Sequence, residues 1–474
     1  MRDYIRRLVD GLTGTRQATI DTIEPGRIVV APRRPIDRFD VAAIAEVLDL
    51  ATKVGAVLLD SGTGAIDTQA QIRFVAATYG LDDVQIDVTF NTIHASARRG
   101  ATLPPITTLR TVEYRSMDFT RLAHVDKLIR RIRDSAITPG TAHQMLDTLI
   151  AAPHPYSYRQ STFAWGLMAA GVSMLFGGDL LVALIAFVTT STIVGVNHLL
   201  RRIGTPKFFQ QVTGGFIAVV PAALIFEGGE KLGVDISPSQ VIASGIVVLL
   251  SGLSLVGSVQ DAITGAPITG AARFFELVLM TGGIIAGVGM ALRLLEAFGV
   301  YLPTITAATE FRGADIPAQV LAGAVAALAF AWASYAERRA LPMAFIAGAI
   351  GVAVVAGASF IPVGNVIGAG MAAVCVGMLG GLLARRALTP PLVVAIAGIT
   401  PLLPGLAVYR GLYGILNDQS LDGFTWVASA LGAGCALAAG VTLGEFIART
   451  LRRPRVVTTL IERQRSRLRR PRGW

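Results

Sequence analysis

The chain has 474 residues, a formal net charge of +10, 53% hydrophobic and 16% charged residues, and 51 glycines. That balance excludes a disordered chain and an ordinary soluble enzyme, and it suits helices packed in lipid, where small residues let backbones approach. Two cysteines, Cys375 and Cys435, both in apolar segments, imply no disulfide framework.

The charge is uneven. Residues 161–448 hold 12 basic against 13 acidic residues, whereas residues 449–474 hold ten against one. An Arg-rich tail after a membrane helix is attracted to anionic headgroups, at about 1 kcal/mol per basic residue near the surface. The expected partners are therefore a lipid membrane and a small-molecule substrate, not nucleic acid. A homo-oligomer is compatible with the sequence, and no cofactor, metal or P-loop is expected.

Taken in chain order, the N-terminus carries Arg2, Arg6 and Arg7 without the apolar core of a signal peptide, so residues 1–160 are expected in the cytoplasm. Helical spacing marks 39–56 and 65–79, separated by a turn at 60–64. Alternation through Val84, Ile86, Val88 and Phe90 predicts one strand over 84–96, and 106–115 reads as a second. Two basic-faced helices, 119–135 and 141–151, lead to the first apolar segment.

Ten such segments follow, at 161–176, 180–200, 212–228, 241–259, 274–294, 320–335, 343–361, 366–383, 392–416 and 424–447, most near the roughly 20 residues a bilayer requires. Alternate connections collect Arg201, Arg202, Lys207, Arg273, Arg338, Arg339, Arg385 and Arg386; the others collect Asp179, Glu227, Asp235, Glu310, Asp315, Asp418 and Asp422. The positive-inside bias puts both termini in the cytoplasm of a multi-pass cell-membrane protein. The expected fold is a polytopic α-helical membrane protein with an N-terminal cytoplasmic α/β domain (1–160), two five-span modules (161–316 and 317–448) and a basic tail (449–474).

An RRxxTP match between Arg201–Pro206 and Arg385–Pro390, at an offset of 184, suggests an internal repeat. Pro221 interrupts the third segment and Pro401 and Pro404 the ninth, so both halves are expected to contain a broken helix, where unwound backbone can bind a polar solute.

Ionisable groups within such segments are costly and are functional candidates by default. Asp261 and Arg273 flank a polar stretch: the carboxylate suits an ammonium group or a coupling proton, and the guanidinium suits a carboxylate. The alternative is a solvated loop with a surface ion pair. Thr400, Pro401, Pro404, Gly405, Tyr409 and Arg410 form a second candidate set, with Tyr413 beside them and Asn197 as a hydrogen-bonding group in the second segment. Glu227, Glu276 and Glu445 read as interfacial. Ser61, His94 and Asp87 make a triad only on paper, since Ser61 is in no GxSxG elbow.

Several motifs carry a family resemblance: Pro153-His-Pro-Tyr156, Leu175-Phe-Gly-Gly-Asp179, the segment from Ser61 to Gly80, the strand before Asn91, and above all Gly398-Ile-Thr-Pro-Leu-Leu-Pro-Gly405 with Tyr409-Arg410. On these the chain resembles the fused, two-module form of the bacterial threonine/serine exporter family. The resemblance implies a ten-span secondary transporter, not an enzyme, exporting threonine and serine under the proton motive force. Split relatives are associated with succinate, so a dicarboxylate exporter of the same fold is one alternative; a membrane-anchored hydrolase or sensor is the other. The chain departs from the family after Ser61, where Gly64, Ala65 and Gln69 to Gln71 stand in place of acidic residues.

Overall fold

The computed structural model describes residues 36–452, apart from 38–39, 101–102, 114–115, 136, 233–237, 250–251, 301–314, 363, 388 and 417–418. Residues 1–35, Asp235, Glu310, Asp418, the side chains of Arg385 and Arg386, and the basic tail beyond Arg452 lie outside the described residues.

The first helix, α1 (Val41–Asp60), begins where Asp40 Oδ1 accepts from the Ala42 and Ala43 N–H groups at 2.9 and 3.1 Å. Ile44, Val47, Leu48, Ala51 and Leu58 are its buried stripe. It ends at Ser61 and Gly62, whose φ of +94° turns the chain into α2 (Ala65–Thr78). A Cβ at Gly55 would fall 2.4 Å from Ile72 Cδ1, so the two helices cross closely there.

The stretch read as one strand over 84–96 is a hairpin. Strands β1 (Val84–Thr89) and β2 (Thr92–Ala97) pair antiparallel across a turn at Phe90 and Asn91, with Phe90 at φ +50°. Alternation survives the turn as Ile93, Ala95 and Ala97, which is why the run looked continuous. Strand β3 (Ile106–Thr111) pairs with β2 to complete a three-stranded sheet, and helices α3 (Phe119–Ser135) and α4 (Pro139–Ala151) follow. Asp87 and His94 face each other on the exposed side of this sheet, whereas Ser61 is fully buried at the end of α1. The paper triad is thus dismantled.

The remaining helices are α5 (Tyr158–Leu175), α6 (Leu180–Arg202), α7 (Lys207–Leu232), α8 (Pro238–Leu249), α9 (Gly252–Thr264), α10 (Pro267–Ala297), α11 (Ile316–Ala333), α12 (Leu341–Ala358), α13 (Gly364–Ala387), α14 (Pro391–Ile399), α15 (Gly405–Leu416) and α16 (Ser420–Arg452). Among the described residues, six of these are long and apolar enough to cross a membrane: α6, α10, α11, α12, α13 and α16. The count is eight if two bent pairs, α8 with α9 (46°) and α14 with α15 (47°), each form one span.

The two halves repeat one packing scheme. In the first, α5 packs on α6, α6 on α7, and α7 along α10, while the α8–α9 pair lies against α6, α7 and α10; α11 to α16 do the same in order. The long pairs α7–α10 and α13–α16 depend on glycine. A Cβ at Gly287 would fall 1.9 Å from Val212 O and one at Gly444 2.3 Å from Val374 O. Small residues substitute for hydrophobic drive between helices in lipid. The packing matches α6 to α12 and α7 to α13, so the RRxxTP pair, on α6 and α13, joins non-equivalent positions. Nor does Pro221 break its helix, since α7 runs through it; the first-half break lies between α8 and α9.

The N-terminal region is seated firmly on the second half. Its apolar core continues without interruption into Ala329, Phe330, Ala336, Val393 and Ala397. Phe119 meets Phe330 edge-on at 6.1 Å, and His154 stacks on Tyr335 at 4.3 Å. Toward the first half the same core packs on Met168, and polar contacts are added. Phe90 N–H donates to Thr269 Oγ1 at 3.0 Å, and Ala65 N–H donates to Asp261 Oδ1 at 3.0 Å.

Candidate functional site

Helix α9 buries one face through Gly252, Leu255, Ser258 and Asp261, positions spaced by three, so the carboxylate is carried inward by the same periodicity that buries the leucine. After Asp261 the chain turns sharply at Gly265 (φ +111°), and α10 returns with Arg273 two turns from its start. Arg273 Nη1 lies 2.6 Å from Asp261 Oδ2. Asp261 is 1% exposed and Arg273 8%. This is a buried ion pair rather than a loop pair at the surface.

The other oxygen, Asp261 Oδ1, takes the Ala65 N–H at the start of α2. The N-cap of α2 is Gly64, which has no side chain to cap with. The carboxylate from 196 residues away does so instead, and the positive end of the helix favours its charge. A Cβ at position 64 would stand 3.2 Å from Oδ1, so glycine makes room for that approach. Arg273 Nε is buried and makes no hydrogen bond.

The pair opens onto a cavity of about 320 Å³ between the N-terminal region and the helices. Both bent pairs present their breaks to it: Val247, Val248 and Gly252 from α8–α9, and Ile399, Thr400, Leu403 and Gly405 from α14–α15. The breaks touch, since a Cβ on Gly252 would fall 2.9 Å from Leu403 Cβ. Gly405 begins α15 and Gly252 begins α9, so two helix N-termini converge there. Gly62, Gly64, Ser116 and Met117 close the cavity from the N-terminal side. Its charged lining is Asp261, Glu276, Lys207 and Arg273, two acids and two bases.

Of the residues singled out in the sequence, Asp261, Arg273, Thr400 and Gly405 meet in this cavity. Pro401 and Pro404 belong to the break but are not among its lining residues. Tyr409 is buried outside it and stacked on Tyr413 at 5.9 Å, while Arg410 sits over the Trp426 ring at 5.0 Å. Asn197, on α6, is half-buried and away from the lining. Sequence reasoning missed Gln211 and treated Lys207 and Glu276 as boundary markers. Their signal was spacing: Lys207 and Gln211 lie one turn apart on α7, and Arg273, Glu276, Leu277 and Met280 form one stripe of α10.

An apolar helical bundle whose two bent helix pairs meet over a charge-balanced cavity defines the class: an integral membrane protein of the carrier type. Two family models for threonine/serine exporters match residues 49–295 and 319–447. The chain belongs to the threonine/serine exporter family. It is 45% identical over 448 residues to a threonine/serine exporter of Corynebacterium glutamicum, covering 93% of this chain and 90% of that protein. It is 39% identical over 415 residues to a probable threonine/serine exporter of Mycobacterium tuberculosis, covering 86% and 77%. No solved structure matches it significantly.

Proposed function

We propose that the chain exports threonine and serine across the cell membrane as a secondary transporter, with Asp261 and Arg273 as its central binding pair. The observation that carries this reading is the buried Asp261–Arg273 pair at the meeting point of two broken helices. A zwitterion can take both partners at once, its ammonium on Asp261 and its carboxylate on Arg273, whose Nε has no other acceptor. The exchange leaves the charge of the cavity unchanged. A dicarboxylate would add two negative charges to a balanced lining at low dielectric, which disfavours the organic-acid reading.

In this reading α5 and α7 join the eight spans to make ten, both termini face the cytoplasm, and the halves 161–316 and 317–448 are five-span modules. Five is odd, so the second module enters the membrane from the opposite face and the halves are inverted repeats. The N-terminal region closes the cytoplasmic mouth through Gly62, Gly64, Ser116 and Met117. A substrate ammonium on Asp261 competes with the Ala65 N–H, so loading loosens the hold of the N-terminal region. A proton on Asp261 does the same, which is the simplest route for coupling to the proton motive force.

The test is uptake of labelled threonine into proteoliposomes with and without an imposed proton gradient. Gradient-dependent uptake that serine inhibits and succinate does not is the expected result, with flux lost in Asp261→Asn. Competition by succinate, or undiminished coupled flux in that variant, overturns the assignment.

A further inference from the structure

The charged pair accounts for the ends common to every amino acid, and leaves open what distinguishes threonine and serine from valine and alanine. The structure offers a reader for that difference. Gln211 lies on α7 one turn beyond Lys207, lines the central cavity, and has its side-chain oxygen Oε1 buried without a hydrogen bond. Buried amide oxygens are normally paired, and an unpaired one on a residue of the cavity wall is a place for a ligand donor.

Three other polar side chains on the cavity have partners of their own. Thr400 Oγ1 donates to Ile396 O at 2.8 Å, Ser116 Oγ donates to Asp60 Oδ1 at 3.2 Å, and Asp261 is held by Arg273 and Ala65. Gln211 is also well fixed. A Cβ at Gly283 would lie 3.3 Å from Gln211 Cβ, so its helix is pressed against α10, the helix that carries Arg273.

Resting on the export reading above, we infer that Gln211 is the specificity-determining residue of the cavity, its Oε1 accepting a hydrogen bond from the side-chain hydroxyl of the substrate. Valine, the isostere of threonine, fills the same space and leaves the oxygen unpaired; alanine does the same relative to serine. A site built to bond a hydroxyl rejects the analogue that lacks it through the unpaired group it leaves behind.

The experiment is transport of labelled threonine and valine by the full chain in proteoliposomes, comparing the wild type with Gln211→Met and Gln211→Glu. In the wild type threonine is preferred over valine. Gln211→Met, similar in length but without the acceptor, is expected to shrink that preference about 10- to 100-fold, chiefly by losing threonine flux while valine flux holds or rises. Gln211→Glu restores an acceptor and much of the preference. A merely structural glutamine would lower both fluxes together and leave their ratio intact, which overturns the inference. So does a wild type that carries valine as well as threonine, a result that needs no variant to fold. A wild type that moves neither amino acid removes the export reading itself.

Discussion

Replacing Asp261 by Ala strands Arg273 in the protein, and the structure sets the size of the effect. Both side chains are nearly inaccessible and the pair is short, so removing one partner leaves an uncompensated buried charge, a loss of about 3–5 kcal/mol. The lower end, about 3 kcal/mol, applies because Arg273 borders a cavity large enough to admit water. Uncapping α2 adds about 1 kcal/mol. In detergent the thermal midpoint of Asp261→Ala should fall by on the order of 5 °C. The double variant Asp261→Ala with Arg273→Met removes both charges, and should return to within about 1 kcal/mol of the wild type while remaining inactive in transport. Monodisperse protein followed by heating and size-exclusion chromatography gives the comparison. An undisturbed single variant, or a double variant whose loss is the sum of both single losses, would refute the idea of one coupled, buried unit.

Gly252→Val should abolish flux, because even a Cβ there falls 2.9 Å from Leu403 Cβ and forces the two breaks apart; the readout is transport by protein of normal yield. Gly287→Ala should be worse for folding, since its Cβ meets backbone at Val212 O on α7, and the fraction of monodisperse protein measures it. Thr269→Val removes the acceptor for Phe90 N–H, and hydrogen exchange at Phe90 should accelerate. Burial pushes the Asp60 carboxyl above its usual range of about 3.8, outweighing the hydrogen bonds from Ser116 and the charge of Arg121. The folded state then holds that proton more tightly than the unfolded chain, so this group's contribution is full at low pH and is lost as pH rises through the folded value. Denaturation of wild type and Asp60→Asn across pH should diverge in that direction; a difference independent of pH would count against it.

The apolar segments were legible because length and hydropathy survive without tertiary information. So was the break at Pro401 and Pro404, where two missing N–H groups within four residues defeat a helix. Its counterpart between α8 and α9 carries no proline, and Pro221 misled because a single proline inside a packed membrane helix is tolerated when neighbours absorb the lost bond. Asp261 stood out by cost alone, but its cap on α2 joins residues 196 apart and no local pattern reveals it. Tyr409 and Arg410 shared a motif with Thr400 and Gly405, yet they follow the break within α15, whose rotation carries them to Tyr413 and Trp426. Gln211 was passed over because it lies one residue before the apolar segment 212–228, where a polar residue usually marks an edge.

The continuity between the N-terminal core and Phe330, Ala336 and Val393 also sets an order of assembly. The ribosome finishes residues 40–151 long before it makes the helices that cover them, a delay on the order of ten to fifty seconds at about 5–20 residues per second. Part of the apolar face of this region meets Met168 on α5 early, and the rest gains its partners only when α11 and α14 are in place. Docking is therefore completed late in biosynthesis. A truncated or misinserted chain would keep that remainder bare, open to chaperones and proteases, so the same surface that seals the finished protein labels an unfinished one.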